Sequence, residues 1–294
     1  MKTGKGQIYI IVSAILFGTM PMLTKIAFCN GANPYSAAFW RFLWAGIFLA
    51  IIIKWFYKGD LLIERKELIQ IFVLSVPYAL TPILLYISYK YIDSGLATSL
   101  HFTYPISVML IACCFFKMKP DKKKTICAVL CIIGISMLYS PGQESGSLGM
   151  IMAVVSGIVY SIYVILLEKT KIKNIPAIIT SFWLCVFATV EIGMTALLLG
   201  KLDVIYTVEE FIAEICLAFF ATVMALVLFQ KGAFLCGAIQ ASLLSTFEPL
   251  TGVIIGIFIF KEEITWEIVF GILLILVSTI CLAIPHKKRE KKGA

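Results

Sequence analysis

Charge is what this chain has least of. Asp, Glu, Lys and Arg make up 14% of its 294 residues, where a soluble domain carries about a quarter, so the sequence does not supply a water-facing surface. Histidine is scarcer, with two, His101 and His286. There is no H-E-x-x-H, no G-x-S-x-G and no C-x-x-C, and the nine cysteines stand singly or as Cys113–Cys114, almost all inside apolar runs. Buried cysteine behaves as a small hydrophobe, so neither a metal centre nor a disulfide framework is read from it. An active site needs a nucleophile with a base, paired carboxylates or metal ligands. With none of these in evidence, the chain is expected not to be an enzyme and to need no cofactor.

What is abundant is hydrocarbon. Hydrophobic residues make up 61% of the chain, and they gather into stretches of about 20, the length that crosses ~30 Å of lipid. Ten such segments are read: Gln7–Ile26, Tyr35–Phe56, Leu68–Tyr89, Ser94–Phe116, Thr125–Ser140, Leu148–Leu167, Pro176–Leu199, Phe211–Gln230, Ala238–Phe260 and Ile268–Ile284. The expected fold class is an all-α integral membrane protein of ten transmembrane helices with the lipid bilayer as its surroundings. The excess of basic residues, +8 overall, does not argue for nucleic acid. With the N-terminus inside, 20 of the 25 Lys and Arg fall on the inner side, including the tail HKKREKK, as the positive-inside rule requires. A multi-pass protein of the plasma membrane with both termini in the cytoplasm is therefore expected.

The two halves of the chain echo each other. Phe39–Trp40 returns as Phe182–Trp183, and ATSLHFTYPISVMLIACCFFK (Ala97–Lys117) aligns without a gap on ASLLSTFEPLTGVIIGIFIFK (Ala241–Lys261), Pro105 falling on Pro249. Five spans per unit is an odd number, so the second unit enters the membrane in the opposite sense. The units are read as 7–140 and 148–284, followed by a basic cytoplasmic tail, 285–294. Inverted repeats are the architecture of secondary transporters, with the site near the bilayer midplane between the halves.

Ten spans in two five-helix repeats, with a Pro followed 12–13 residues later by a charged loop, resemble the drug/metabolite transporter superfamily, and specifically its EamA-type members. The second half, EPLTGVIIGIFIFKEEIT with Glu262, is similar to the family pattern; the first departs from it, with Met118 where the family often has Glu. The resemblance implies movement of small metabolites without cofactor or ATP, and leaves the substrate open.

Ionisable and hydroxyl groups inside the spans are the candidate site residues, because such groups are costly in lipid and face a cavity or a partner. Glu248 lies about 15 Å along its span, with Ser245, Ala241 and Gly252 on its face; a packing carboxyl and a cavity acid are both open readings. His101 and Tyr104 hold the equivalent place in the first half, His101 aligning with Ser245. Pro105 and Pro249 remove the N–H groups that would bond to the carbonyls of His101 and Ser245, which predicts matched helix breaks with freed carbonyls. Arg41 is placed towards the outer end of the second span, either at an outer entrance or paired with an acid. Lys25 is expected to snorkel to the interface, and Glu191 to pair with another helix. Tyr78 and Thr81 share one stripe, Ser156, Tyr160 and Tyr163 another, and Thr19 sits midway along the first span; cavity lining and plain packing are both open.

The function expected is a secondary active transporter, in the direction of export, of small organic metabolites such as amino acids or organic amines. It would work by alternating access, with His101 and Glu248 coupling substrate to protons. Lipid flipping or a structural membrane role is the alternative, and an intramembrane enzyme the most distant one. A homodimer through peripheral helices is a further expectation.

Overall fold

A computed structural model describes residues 2–92, 94–118, 121–137, 146–205, 207–259 and 265–283. The ends of the fifth, ninth and tenth expected spans, Glu262 and the basic tail 285–294 lie outside the described residues. The helical segments run in chain order as α1 (Lys2–Phe17), α2 (Met20–Cys29), α3 (Pro34–Ile51), α4 (Arg65–Ser88), α5 (Ser94–His101), α6 (Tyr104–Phe116), α7 (Lys122–Met137), α8 (Ser147–Lys169), α9 (Ala177–Leu198), α10 (Val208–Ala218), α11 (Ala225–Cys236), α12 (Ala238–Leu244), α13 (Phe247–Ile259) and α14 (Trp266–Ala283). Among the described residues they form ten rods, because α1–α2, α5–α6 and α12–α13 are each one rod with a break, and α10 joins α11 through a π-helical stretch, Phe219–Met224. Eight rods are long and apolar enough to cross a membrane; α7 and α14, packed on each other, complete the ten.

The packing respects the repeat. α1 lies on α11, and the exchanged pair, α8 on α4, is also made; α3–α9 and α7–α14 are pairs that map onto themselves. The Phe-Trp echo has a matching purpose. Trp40 donates its indole N–H to the Asp203 carbonyl at 3.0 Å, and Trp183 donates to Leu61 at 2.9 Å. Each repeat's second rod thereby ties down the loop between the second and third rods of the other repeat. Large apolar side chains such as Ile8, Phe72, Leu110, Ile151, Val190 and Phe258 face outward, as a protein solvated by lipid requires.

The breaks follow from proline chemistry. Pro21, Pro105 and Pro249 each sit within the first three residues of the segment after a break, where a missing N–H costs nothing. The breaks at 102–103 and 245–246 lie within one residue of repeat register. The carbonyls are spent differently from the sequence expectation. Ser245 O accepts the Glu248 N–H at 2.9 Å, a tightened i→i−3 bond, so it is not free. The His101 carbonyl points at Gly157 of α8 so closely that a Cβ there would stand 2.4 Å from it. Glycine at 157 is what lets α8 close over that carbonyl.

Candidate functional site

A cavity between the two repeats is lined by Phe17, Met20, Arg41, Phe42, Tyr78, Thr81, Pro82, Leu85, His101, Tyr160 and Glu248. Its volume is about 40 Å³, enough for ordered water. A wider vestibule of about 350 Å³ opens at the end of the bundle where Lys25, Ser94 and Gly95 lie. Glu248 stands on the wall of both. The break at 245–246 puts it there, because it restarts the helix one residue before Glu248 and leaves that side chain in the first turn of α13.

Arg41 is the cation of the cavity. Asn33 caps α3, accepting from the N–H groups of Tyr35 and Ser36 at 2.8 and 3.1 Å, with Pro34 opening the helix, which is a preferred start. Arg41 follows two turns on and is 3% exposed, drawn into the bundle rather than out to the surface. Nε donates to Thr222 Oγ1 at 2.7 Å, and one Nη each to Tyr86 Oη and the Ala221 carbonyl at 3.0 Å. The other half supplies these acceptors because the rod widens there. In the π stretch Thr222 donates its hydroxyl to Leu217 O, five residues back, at 3.1 Å, and the Ala221 carbonyl is turned to the guanidinium. π segments recur at functional sites. Arg41 thus has neutral acceptors, and no described carboxylate bridges it.

The first half's break is closed by aromatic rings. His101 Nδ1 lies 2.8 Å from Ser156 Oγ, whose hydroxyl donates to Ala153 O at 2.6 Å. Since that hydroxyl proton is already committed, Nδ1 is the donor, and in the neutral ring Nε2 is left as an acceptor. His101 packs on Tyr104 and on Tyr160, both with centroids 5.6 Å apart.

Of the residues singled out from sequence, the structure brings Arg41, Tyr78, Thr81, His101, Tyr160 and Glu248 onto the cavity wall. Tyr104 instead donates to Ser242 O at 3.3 Å across the repeat interface, and Tyr163 accepts from Gln230 Nε2 at 3.4 Å. Ser245 and Thr19 turn their hydroxyls to their own helices, onto Ala241 O and Leu16 O. Glu191 accepts from Ser75 of α4, the inter-helix pairing expected. Sequence reasoning missed Thr222 and Tyr86, which position Arg41, and also the buried Glu210 and Glu214 of α10. The two acids were readable as carboxylates one turn apart at the start of an apolar run.

The match to known proteins is decisive at family level. The model of the EamA-like transporter family matches residues 4–140 and again 147–284. The chain belongs to the EamA-like transporter family. It is a multi-pass membrane transporter with two EamA repeats, and not an enzyme. It is similar along 99% of both chains to the uncharacterized transporter YwfM of Bacillus subtilis, at 26% identity. The uncharacterized inner membrane transporter YicL of Salmonella typhimurium is 24% identical, again over 99% of both chains. An uncharacterized transporter of Synechocystis is 28% identical over 68% of this chain and 62% of its own. A crystal structure at 12% identity superposes with a TM-score of 0.78 over 94% of this chain and 95% of that one, a likeness of fold.

Proposed function

We propose that this EamA-family protein is a secondary active transporter that exports small amino compounds, zwitterionic amino acids first and organic amines second, by alternating access. One observation carries the reading: Arg41 and Glu248 stand on the walls of a single cavity between the repeats without bridging each other. A guanidinium offers a forked donor to a carboxylate, and a glutamate accepts from an ammonium. A zwitterion uses both at once. An amine uses the glutamate and the faces of Tyr78, Tyr160 and Phe42. A sugar leaves both charges unmatched, which is costly where water is scarce.

The vestibule supplies the path. With the termini placed in the cytoplasm of a plasma-membrane protein, the end holding Lys25 and Ser94 is the outer one. The conformation is then open outward as far as Glu248 and narrow beyond it. The repeat-matched breaks give each half a hinge beside the cavity, and exchange of the two halves' arrangements would open the inner side. His101 and Glu248, both on the wall, are the groups through which protons would couple to substrate.

The test is thermal stabilisation of the purified protein by a panel of amino acids, their N-acetyl and amide derivatives, amines and sugars. Ligand at about 100 times its dissociation constant adds about 2.7 kcal/mol, a shift readily resolved. Free amino acids are expected to stabilise, and the singly blocked derivatives to lose most of the effect. Stabilisation by sugars or by simple carboxylates alone would overturn the assignment.

A further inference from the structure

α10 carries an acid site that the cavity does not use. Thr207 caps this helix, accepting from the Glu210 N–H at 3.0 Å. Glu210 and Glu214 follow on one face, 1% and 0% exposed. That rod packs on α2 and α3, and the Trp44 ring of α3 meets Phe211 edge-on at 5.7 Å.

Neither carboxyl oxygen of Glu214 has a hydrogen-bond partner. The two flanking helices hold unspent donors: the Thr24 hydroxyl of α2, fully buried, and the Trp44 indole N–H of α3. These are four of the seven buried unpartnered side-chain atoms among the described residues, all on three helices that pack together. Buried polar atoms are normally paired, so the concentration marks a place where something is bound or exchanged.

The chemistry selects the ligand. A buried carboxylate without donors is costly to keep charged, and a single proton removes that charge. A metal ion is a poor fit, since no group of three His, Cys, Asp or Glu gathers among the described residues. The other titratable groups on the packed elements are Lys25 and Cys29 on α2, Tyr35 and Arg41 on α3, and Glu209, Glu210 and Cys216 on α10; the π stretch carries none. Arg41 matters most, because it shares a cavity wall with Glu248 and stands on the helix that packs on α10, while its hydrogen bonds go to neutral acceptors.

We propose that Glu214 is a second proton site, sharing Arg41 as counter-charge with Glu248. The role in coupling rests on the transporter reading above; the proton itself does not. One guanidinium compensates one carboxylate at a time. When Glu248 is ionised towards Arg41, Glu214 keeps its proton. When Glu248 is protonated, or bound substrate removes its charge from the balance, the Glu214 proton is released to water and its carboxylate takes the compensation.

Infrared spectroscopy of the full-length protein in lipid vesicles tests the site without a substrate. A carbonyl-stretch band of a protonated carboxyl is expected at neutral pH, lost in Glu214→Gln and diminished in Glu248→Gln, which leaves Arg41 free to compensate Glu214; an undiminished band in Glu248→Gln would overturn the sharing of Arg41. Retention of the whole band in Glu214→Gln would overturn the proposal. If that variant does not fold, Glu214→Asp serves: a folded Asp variant should show the band at a shifted frequency, and its absence there would overturn the proposal equally. In proteoliposomes, Glu214→Gln should cut the response of flux to an imposed pH gradient at least tenfold, more than it cuts substrate exchange without a gradient. An unaltered pH response would sink the coupling role, whereas failure of every amino compound to move in wild type would sink the transporter reading and leave the infrared result standing.

Discussion

The two repeat-matched helix breaks share a backbone design and differ in what they present. At 245–246 the break delivers a carboxylate, Glu248, to the junction of vestibule and cavity. At 102–103 it delivers His101 and Tyr104 into a ring-lined corner shut by Ser156 and Gly157. The proline is the shared architectural element, since it removes a donor wherever it stands. The side chain one residue before it is where the halves part, an acid in one and a phenol in the other. A symmetric scaffold gives two equivalent conformations, and an asymmetric pair of side chains lets one break present an acid to the ligand while the other stays packed among rings.

The largest expected effect comes from erasing the asymmetry at the acid. Glu248→Gln should weaken binding of the preferred amino compound on the order of a hundredfold, within the about 2–5 kcal/mol that loss of one partner of a buried charge pair costs; titration calorimetry or thermal shift measures it. Next is the closed corner. Gly157→Leu puts a Cβ 2.4 Å from the His101 carbonyl and should destabilise the fold by about 1–3 kcal/mol through overpacking, read as a lower melting temperature. Ser156→Ala leaves the His101 Nδ1–H without its acceptor, and should cost about 1–3 kcal/mol for a buried unsatisfied donor, at the same or slightly smaller scale. The smallest effect belongs to Gly252, which lines the vestibule one turn beyond Glu248 with open space around it. Gly252→Ala should raise stability by up to about 1 kcal/mol, the helix propensity of Ala over Gly. Gly18→Ala, whose Cβ would meet the Glu248 carbonyl at 2.7 Å, should instead lower it measurably in the same melting assay.

The legible and illegible parts of this site divide along physical lines. Prolines in register announce a break, and the breaks at 102–103 and 245–246 lie beside them; the repeat is what makes the signal, since Pro77 and Pro82 sit inside the unbroken α4. Helical spacing put Tyr78 and Thr81 on one stripe and Tyr160 and Tyr163 on another. Spacing does not say which neighbour a stripe faces, so it left open that Tyr160 would line the cavity while Tyr163 meets Gln230. The Arg41 acceptors were beyond reach for a different reason. The π stretch at Phe219–Met224 carries no proline or glycine to signal it, and its acceptors meet Arg41 only once the two halves are packed. Glu210 and Glu214 were visible letters, but acids at the start of an apolar run usually read as an interface, and their burial against α2 and α3 is a tertiary fact.

The comparison of the two breaks reduces to one claim, that Glu248 receives the ammonium of the substrate. It is tested most directly by measuring the dissociation constants of one amino acid and its N-acetyl derivative on wild type and on Glu248→Gln, a cycle that isolates the pair. In wild type, acetylation should weaken binding on the order of a hundredfold, the scale of one lost buried charge contact, and in Glu248→Gln that penalty should all but disappear. A penalty of equal size in both proteins would contradict the account.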